Sequence, residues 1–263
     1  LPRRSMTAAA ALQLVEWVQM DLQPPVTDYI PWLSLADPWN ASSVTLQHLL
    51  PHSGEFPDGY YINDPTLPLE TWATAVLPLI PLMAEPGSFF NYSNPNFSLA
   101  GLAVQAVSGQ DYYDYMPEHV WRPAGMPTTT LDPDAVLAHG NYATGHQGTQ
   151  RIAPHDWDVR ALAPAGLAFS TPTELISWTL TLSDGGGAIL SPESAEAMQA
   201  PQIHLDYLPW MDYGYGVFVT DYARIGEPDS RVTVRDHGGN LPGASSQLYW
   251  IPEEGFAVSI LAN

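Results

Sequence analysis

The sequence predicts an α+β fold, an antiparallel sheet flanked by helices plus a mostly helical subdomain. Three features point there. Ala8, Ala11, Leu12, Val15 and Val18 recur at helical spacing near the start. A Pro-rich middle carries short helical pieces, and from Tyr213 onward β-branched and aromatic runs sit between turn signals. The first helix is predicted over 7–20 and stopped by Pro24-Pro25. Ala9 and Ala10 are small enough to let it be enclosed on several sides. Short helices are predicted over 45–50, 70–83, 97–107 and 111–121, with no strand alternation among them. Ser170 or Thr171 is placed to cap a helix over 171–183, which Gly185-Gly186-Gly187 ends. A further short helix is predicted over 191–200. Strands follow over 215–222, 231–236, 245–251 and 255–261, with Pro252-Glu253-Glu254-Gly255 as a hairpin turn. The chain reads as one unit over 1–263: a central helix over 1–20, a loop-rich, mostly helical part over 21–165, and helices with the sheet over 166–263.

Composition excludes some functions. The 263 residues hold 8 basic and 28 acidic side chains, for a net charge of −20, and every basic residue is Arg. Charged residues make up only 14%, so the acidity comes from missing bases, not from surplus carboxylates. Nothing supplies the phosphate-neutralising patch that nucleic acid or an anionic membrane requires. The absence of Cys removes disulfides, thiol catalysis and Cys-ligated zinc. The longest apolar run, 73–83, carries Pro78 and Pro81 and is too short to span a bilayer. Arg3-Arg4 and the apolar residues after it imitate a signal peptide, but Gln13 and Glu16 interrupt them and the segment reads as a helix. Asn40-Ala41-Ser42 forms a glycosylation sequon, and Asn91-Tyr92-Ser93 forms a second.

Three clusters carry chemistry. Gly87 to Pro95 packs Tyr92, Ser93 and Asn94 into a turn-rich loop before a helix. A phenol there can act as base, and an amide can both donate to and accept from a substrate; the plainer reading is a polar loop that caps the helix. Asp236-His237-Gly238-Gly239-Asn240 ends a predicted strand, where adjacent glycines admit a ligand or simply form a wide turn. His48 and His52 stand four apart in Thr45 to Gly54, yet no acidic residue lies between them and Pro51 breaks the face, which argues against a metal site. His139, His146 and His155 read as surface or loop residues.

The order of these clusters resembles the serine β-lactamase and penicillin-binding-protein-like hydrolases, in the branch of class C β-lactamases, D-aminopeptidases and related esterases. Arg4-Ser5-Met6-Thr7-Ala8 is similar to the start of the helix that follows that family's nucleophile, and Pro25-Val26 to Pro31 to its "dPV…YlP" segment. Thr45 to Gly54 resembles its "T-hLLtHtSG" stretch, and Tyr92-Ser93-Asn94 its Tyr-x-Asn motif. Trp121 to Met126 is similar to its "PLGM" segment, His237-Gly238-Gly239 to the His-x-Gly form of its third motif, and Leu261-Ala262-Asn263 to its closing strand. The resemblance implies an acyl-enzyme mechanism on amide, lactam or ester carbonyls of a small molecule or peptide, without cofactor or metal. It implies Tyr92 as base or proton shuttle, Asn94 as a contact to the substrate amide, and His237, Gly238 and Gly239 along the binding edge. It also favours export to the periplasm or outside the cell.

The same register puts Leu1 at the family's Ser and Arg4 at its Lys. Leu has no nucleophile, and Arg stays protonated at any working pH. The chain has no Lys that a shifted register could supply, and Ser5 sits about a quarter-turn away on the helix. Two readings of different class follow: a hydrolase or acyltransferase impaired by Leu1 and Arg4, or a non-catalytic relative that keeps the cleft for binding, scaffolding or assembly. The family's strands before the nucleophile and its last helix are expected to be missing, either because the sequence is part of a longer or processed polypeptide, the favoured expectation, or because another chain or segment completes the sheet.

Overall fold

A 13-residue helix with no solvent face organises the molecule. Helix α1 (Arg4–Glu16) is buried on every side from Arg4 to Leu14, as its run of four alanines allows. The computed structural model describes residues 3–36, 42–59, 66–224 and 227–263. Leu1, at the expected nucleophile position, lies outside them, as do Asn40 and Ala41 of the first sequon.

Helix α1 ends four residues before the predicted Met20. Val18 takes the left-handed conformation at φ 58°, its N–H returns to the Val15 carbonyl at 3.0 Å, and the Gln19 N–H returns to Leu14 at 2.9 Å. This is a Schellman closure with Val where glycine is usual, so no local signal marked the stop. Next come α2 (Val26–Tyr29), α3 (Leu46–Leu49) and α4 (Leu69–Val76). The helix predicted over 70–83 stops at Val76 and passes into a 3-10 turn, Leu77–Leu79, because Pro78 and Pro81 lack the N–H groups that would extend it. Helix α5 (Asn94–Ser108) begins in the Tyr92 loop and closes on left-handed Gly109. Helix α6 (Tyr112–Tyr115) widens into a π-type turn, Met116–Trp121.

Several elements escaped the sequence pattern. Helix α7 (Pro133–His139) is capped by Asp132, whose side chain accepts the Asp134 N–H at 2.8 Å, and ends at left-handed Gly140. Strands β1 (Gly145–Gln147) and β2 (Gln150–Ile152) form a small hairpin turning at Gly148. Thus His139 lies in a helix and His146 in a strand; both are exposed. Helices α8 (Pro172–Ser183) and α9 (Pro192–Gln199) match prediction within a residue or two, capped by Thr171 and Ser191.

The main sheet is an antiparallel meander in the order β3 (Ile203–His204), β4 (Met211–Tyr213), β5 (Phe218–Arg224), β6 (Glu227–Leu241), β7 (Ala244–Ile251), β8 (Phe256–Ala262). The first two are too short to show alternation. The strand predicted from Tyr215 starts at Phe218, because Gly214 and Gly216 turn the chain there and the Gly214 N–H bonds to the Val217 carbonyl at 2.8 Å. The strand predicted to end at Asp236 continues to Leu241, so His237-Gly238-Gly239-Asn240 is strand and not turn. Pairing with β5 ends at Asp236 opposite Phe218, while pairing with β7 continues to Leu241. Among the described residues, one edge of β6 from His237 onward is therefore without a strand neighbour. Among the described residues, no helix is long and apolar enough to cross a membrane.

Val18 is 91% exposed, so its replacement loses no packing. Val18→Gly is expected to stabilise the fold by about 0.5–1 kcal/mol in urea unfolding, the left-handed penalty of a β-branched residue less the chain entropy that glycine adds to the unfolded state.

Candidate active-site cleft

Enclosing α1 carries the two arginines at its start into the interior. Arg3 is fully buried; it donates through Nη1 to the Gly166 carbonyl at 2.7 Å and lies over the rings of Tyr112 and Trp121. Arg4 is 5% exposed and turns the other way. Its guanidinium sits 4.4 Å above the Tyr92 ring and donates through Nη2 to Asn94 Oδ1. Such a cation over a desolvated aromatic face contributes on the order of 1–2 kcal/mol. Gly216 lies directly against the backbone at the start of α1, where a Cβ would stand 2.5 Å from the Arg4 carbonyl carbon. Ser5 points elsewhere, buried, with its hydroxyl accepting the Trp178 Nε1–H at 2.9 Å.

The loop bearing Tyr92 is held from behind by the segment after α3. The Asn91 N–H donates to the His52 carbonyl at 2.7 Å, the Phe89 N–H to Glu55 Oε1 at 3.1 Å, and the Ser93 N–H to His52 Nδ1 at 3.2 Å. His52 and Glu55 both adopt positive φ, 63° and 61°, which turns the segment toward that loop. Asp58 orients the amide of Asn94 by accepting its backbone N–H at 3.0 Å and its Nδ2 at 3.1 Å. Oδ1 is thereby left facing Arg4.

His237, 1% exposed, closes the cleft from β6. Its Nδ1–H donates to the Gly238 carbonyl at 2.6 Å, and its Nε2 accepts from the Tyr213 hydroxyl at 3.1 Å, which fixes one neutral tautomer. Burial first, and the Arg4 cation second, push its pKa down to about 3. The same two causes hold His52 well below the ordinary imidazole value. Tyr92 is raised by burial, against the opposing pull of Arg4, so the phenol keeps its proton at neutral pH. One fixed cation is thus surrounded by neutral rings.

The predicted residues Arg4, Tyr92, Asn94 and His237 come together. The Tyr92 ring lies 6.2 Å from His237 and stacks on Phe218 at 6.3 Å with a 12° interplanar angle. Gly239 lines a neighbouring cavity of about 930 Å³ with Leu241, Phe169 and Trp157. Gly238 faces the other side of the strand, where a Cβ would stand 2.5 Å from Gln247 Oε1. Sequence reasoning missed His52, Tyr213, Phe218 and Asp58. The sequence presents His52 as a metal-ligand candidate with His48 and as part of the Thr45 to Gly54 stretch, with no sign that it packs beside Tyr92. In the structure His48 instead lies against its own helix start, with Nδ1 3.1 Å from the Thr45 hydroxyl, and His52 packs 4.4 Å from the Tyr92 ring.

Unfolding returns His237 to its usual value near 6.5, so the unfolded chain takes up the proton first. The contribution of this imidazole to stability is therefore complete above about pH 6.5 and falls as pH drops toward about 3. Arg4→Gln is expected to move the His237 titration upward in imidazole NMR and to shrink the acid-induced fall in melting temperature. An unmoved titration would refute the influence of Arg4.

Comparison with known proteins places the chain in a family. The sequence profile described as Beta-lactamase matches residues 4–263. The chain is 25% identical over 274 residues to penicillin-binding protein 4 of Amycolatopsis lactamdurans, covering 98% of this chain and 69% of that protein. It is 27% identical over 184 residues to a D-aminopeptidase of Brucella canis, covering 68% of this chain but 32% of that protein. The octameric penicillin-binding protein homologue from Pyrococcus abyssi superposes with a TM-score of 0.84 at 24% identity, over 100% of this chain and 60% of that one. The chain thus spans only part of the length of each.

Proposed function

Because the chain belongs to the beta-lactamase family, whose members here include hydrolases, we propose that its cleft binds a carbonyl-containing small molecule or peptide but is impaired in acyl transfer. The observation that carries this reading is Arg4, seated on Tyr92 and bonded to Asn94 Oδ1.

Acyl transfer through serine needs a hydroxyl oxygen to attack the carbonyl and a neutral base to take its proton. The register gives Leu1 for the first and Arg4 for the second. A guanidinium cannot take a proton, because it never gives one up in this range. Tyr92 cannot replace it from a protonated resting state, since burial raises its pKa. His237 is neutral, but Nε2 is already occupied by Tyr213 and Nδ1–H by Gly238. What the cleft retains is binding capacity. The Arg4 cation and the Tyr92 hydroxyl donate to a carbonyl oxygen, and the unpaired edge of β6 from His237 to Leu241 offers backbone groups to an extended ligand. Asn94, which the family resemblance assigns to the substrate amide, has its acceptor engaged by Arg4.

Intact-mass spectrometry after incubation with a fluorophosphonate or a β-lactam is expected to show no covalent adduct. A stoichiometric adduct on any residue overturns the reading. The paired change Leu1→Ser with Arg4→Lys is expected to raise p-nitrophenyl acetate hydrolysis about 100-fold above the native chain, the usual worth of a nucleophile with its base, while neither change alone does so.

A second reading, assembly, is favoured by strand β8. It is an outer strand of the sheet, and Phe256 and Ile260 on it are each 54% exposed. The Pyrococcus abyssi homologue is octameric. Light scattering is expected to give a mass above one chain, reduced to one chain by Ile260→Lys; a monomer in the native protein would end this reading.

A further inference from the structure

A second cavity, of about 600 Å³, lies apart from the cleft; Arg4, Tyr92, Asn94 and His237 do not line it. Its size falls within the usual range for small-molecule sites. The register of β5 with β6 builds one wall: Val219 stands opposite Arg235, Asp221 opposite Thr233, and Ala223 opposite Arg231. Alternation along a strand puts Arg231, Thr233 and Arg235 on one face, the same face that carries His237 further on. The end of α8 and the side of α9 supply the facing wall, through Leu182 and Gln199. Trp210, 55% exposed, stands on the rim beside Pro209.

Two of eight basic residues in a chain of net charge −20 converge on this space. Most carboxylates nearby are already engaged. Asp221 accepts from the Thr233 hydroxyl at 2.6 Å, Asp212 lies 2.8 Å from His204 Nδ1, and Glu253 takes Arg235 Nη1 at 2.7 Å. Arg231 is exposed and, among the described residues, its side chain makes no hydrogen bond or ion pair. Arg235 is mostly enclosed; its Nη1 donates to the Thr233 carbonyl and to Glu253, and its buried Nε has no hydrogen-bond partner. The unspent capacity of the wall is therefore that of a donor, beside a large exposed indole.

We propose that this cavity is a second ligand site that takes a small aromatic monocarboxylate, with its ring against Trp210 and its carboxylate at Arg231 and Arg235. A guanidinium matches the planar two-oxygen face of a carboxylate. A doubly charged phosphate fits less well, because Asp221 and Glu196 also line the space and repel the second charge. The indole gives the ring a flat apolar surface that costs little entropy to use, as aromatic anchors do at binding sites.

Isothermal calorimetry with phenylacetate tests this. Phenylacetate is expected to bind the native chain, and its neutral analogue phenylacetamide to bind about tenfold more weakly, the worth of one charge-assisted contact. Arg231→Gln and Trp210→Ala, both on exposed side chains, are each expected to weaken phenylacetate by a similar factor. No binding to the native chain overturns the proposal. So does native-like phenylacetate affinity in Arg231→Gln or in Trp210→Ala, which would put the ligand elsewhere.

Discussion

Helix α1 is packed on all sides, and that constraint reaches every part of the molecule. Four consecutive alanines let neighbouring elements close on it, and Thr7 ties it to Tyr112 and to the Pro164 carbonyl, both at 2.6 Å. A helix buried to its first turn must also bury the charges it begins with, and an uncompensated charge in an apolar interior costs several kcal/mol. Arg3 meets that cost with two aromatic faces and a carbonyl. Arg4 meets it with Tyr92 and Asn94. The contacts that make the helix tolerable are the contacts that define the cleft.

Burial and that single cation together set the electrostatics of the cleft. Loss of water first, and the fixed positive charge second, keep His52 and His237 neutral at pH values where exposed imidazoles titrate. The hydrogen bonds agree, since His237 donates from Nδ1 and accepts at Nε2, an arrangement open only to the neutral ring. A lysine in the same place could pass its proton on. An arginine organises its surroundings without entering proton transfer, and the two side chains are not interchangeable at such a position.

Strand β6 borders both cavities, the smaller through Arg231, Thr233 and Arg235 and the larger through Gly239 and Leu241. Its 15 residues outrun β5, so its last stretch is free to face the cleft while its first stretch is paired and forms the wall beneath α8 and α9. A shorter strand would end at Asp236 and leave His237 in a mobile turn. Continued pairing with β7, His237 opposite Leu248 and Gly239 opposite Ser246, gives the imidazole a rigid support.

Local pattern by itself determined the fold class, helices α8 and α9 and the last two strands, because spacing and alternation are short-range properties, while the structure chose Thr171 over Ser170 as the α8 cap and made Ser191 the cap of α9. The meeting of Arg4, Tyr92, Asn94 and His237 was implied by the resemblance of their ordered motifs to a known family and not by local pattern. Tertiary structure decided the rest. The stop of α1 at Glu16 depends on a valine forced into a glycine-like conformation, which no propensity foretells. Strand β6 extends through His237-Gly238-Gly239 because β7 lies beside it, and a glycine pair seen alone reads as a turn. His52 became part of the cleft only when the chain folded back so that its Nδ1 could accept the Ser93 N–H, a contact 41 residues long in sequence. Contacts at that range leave no periodicity to read, since they depend on where two loops are brought by the helix between them.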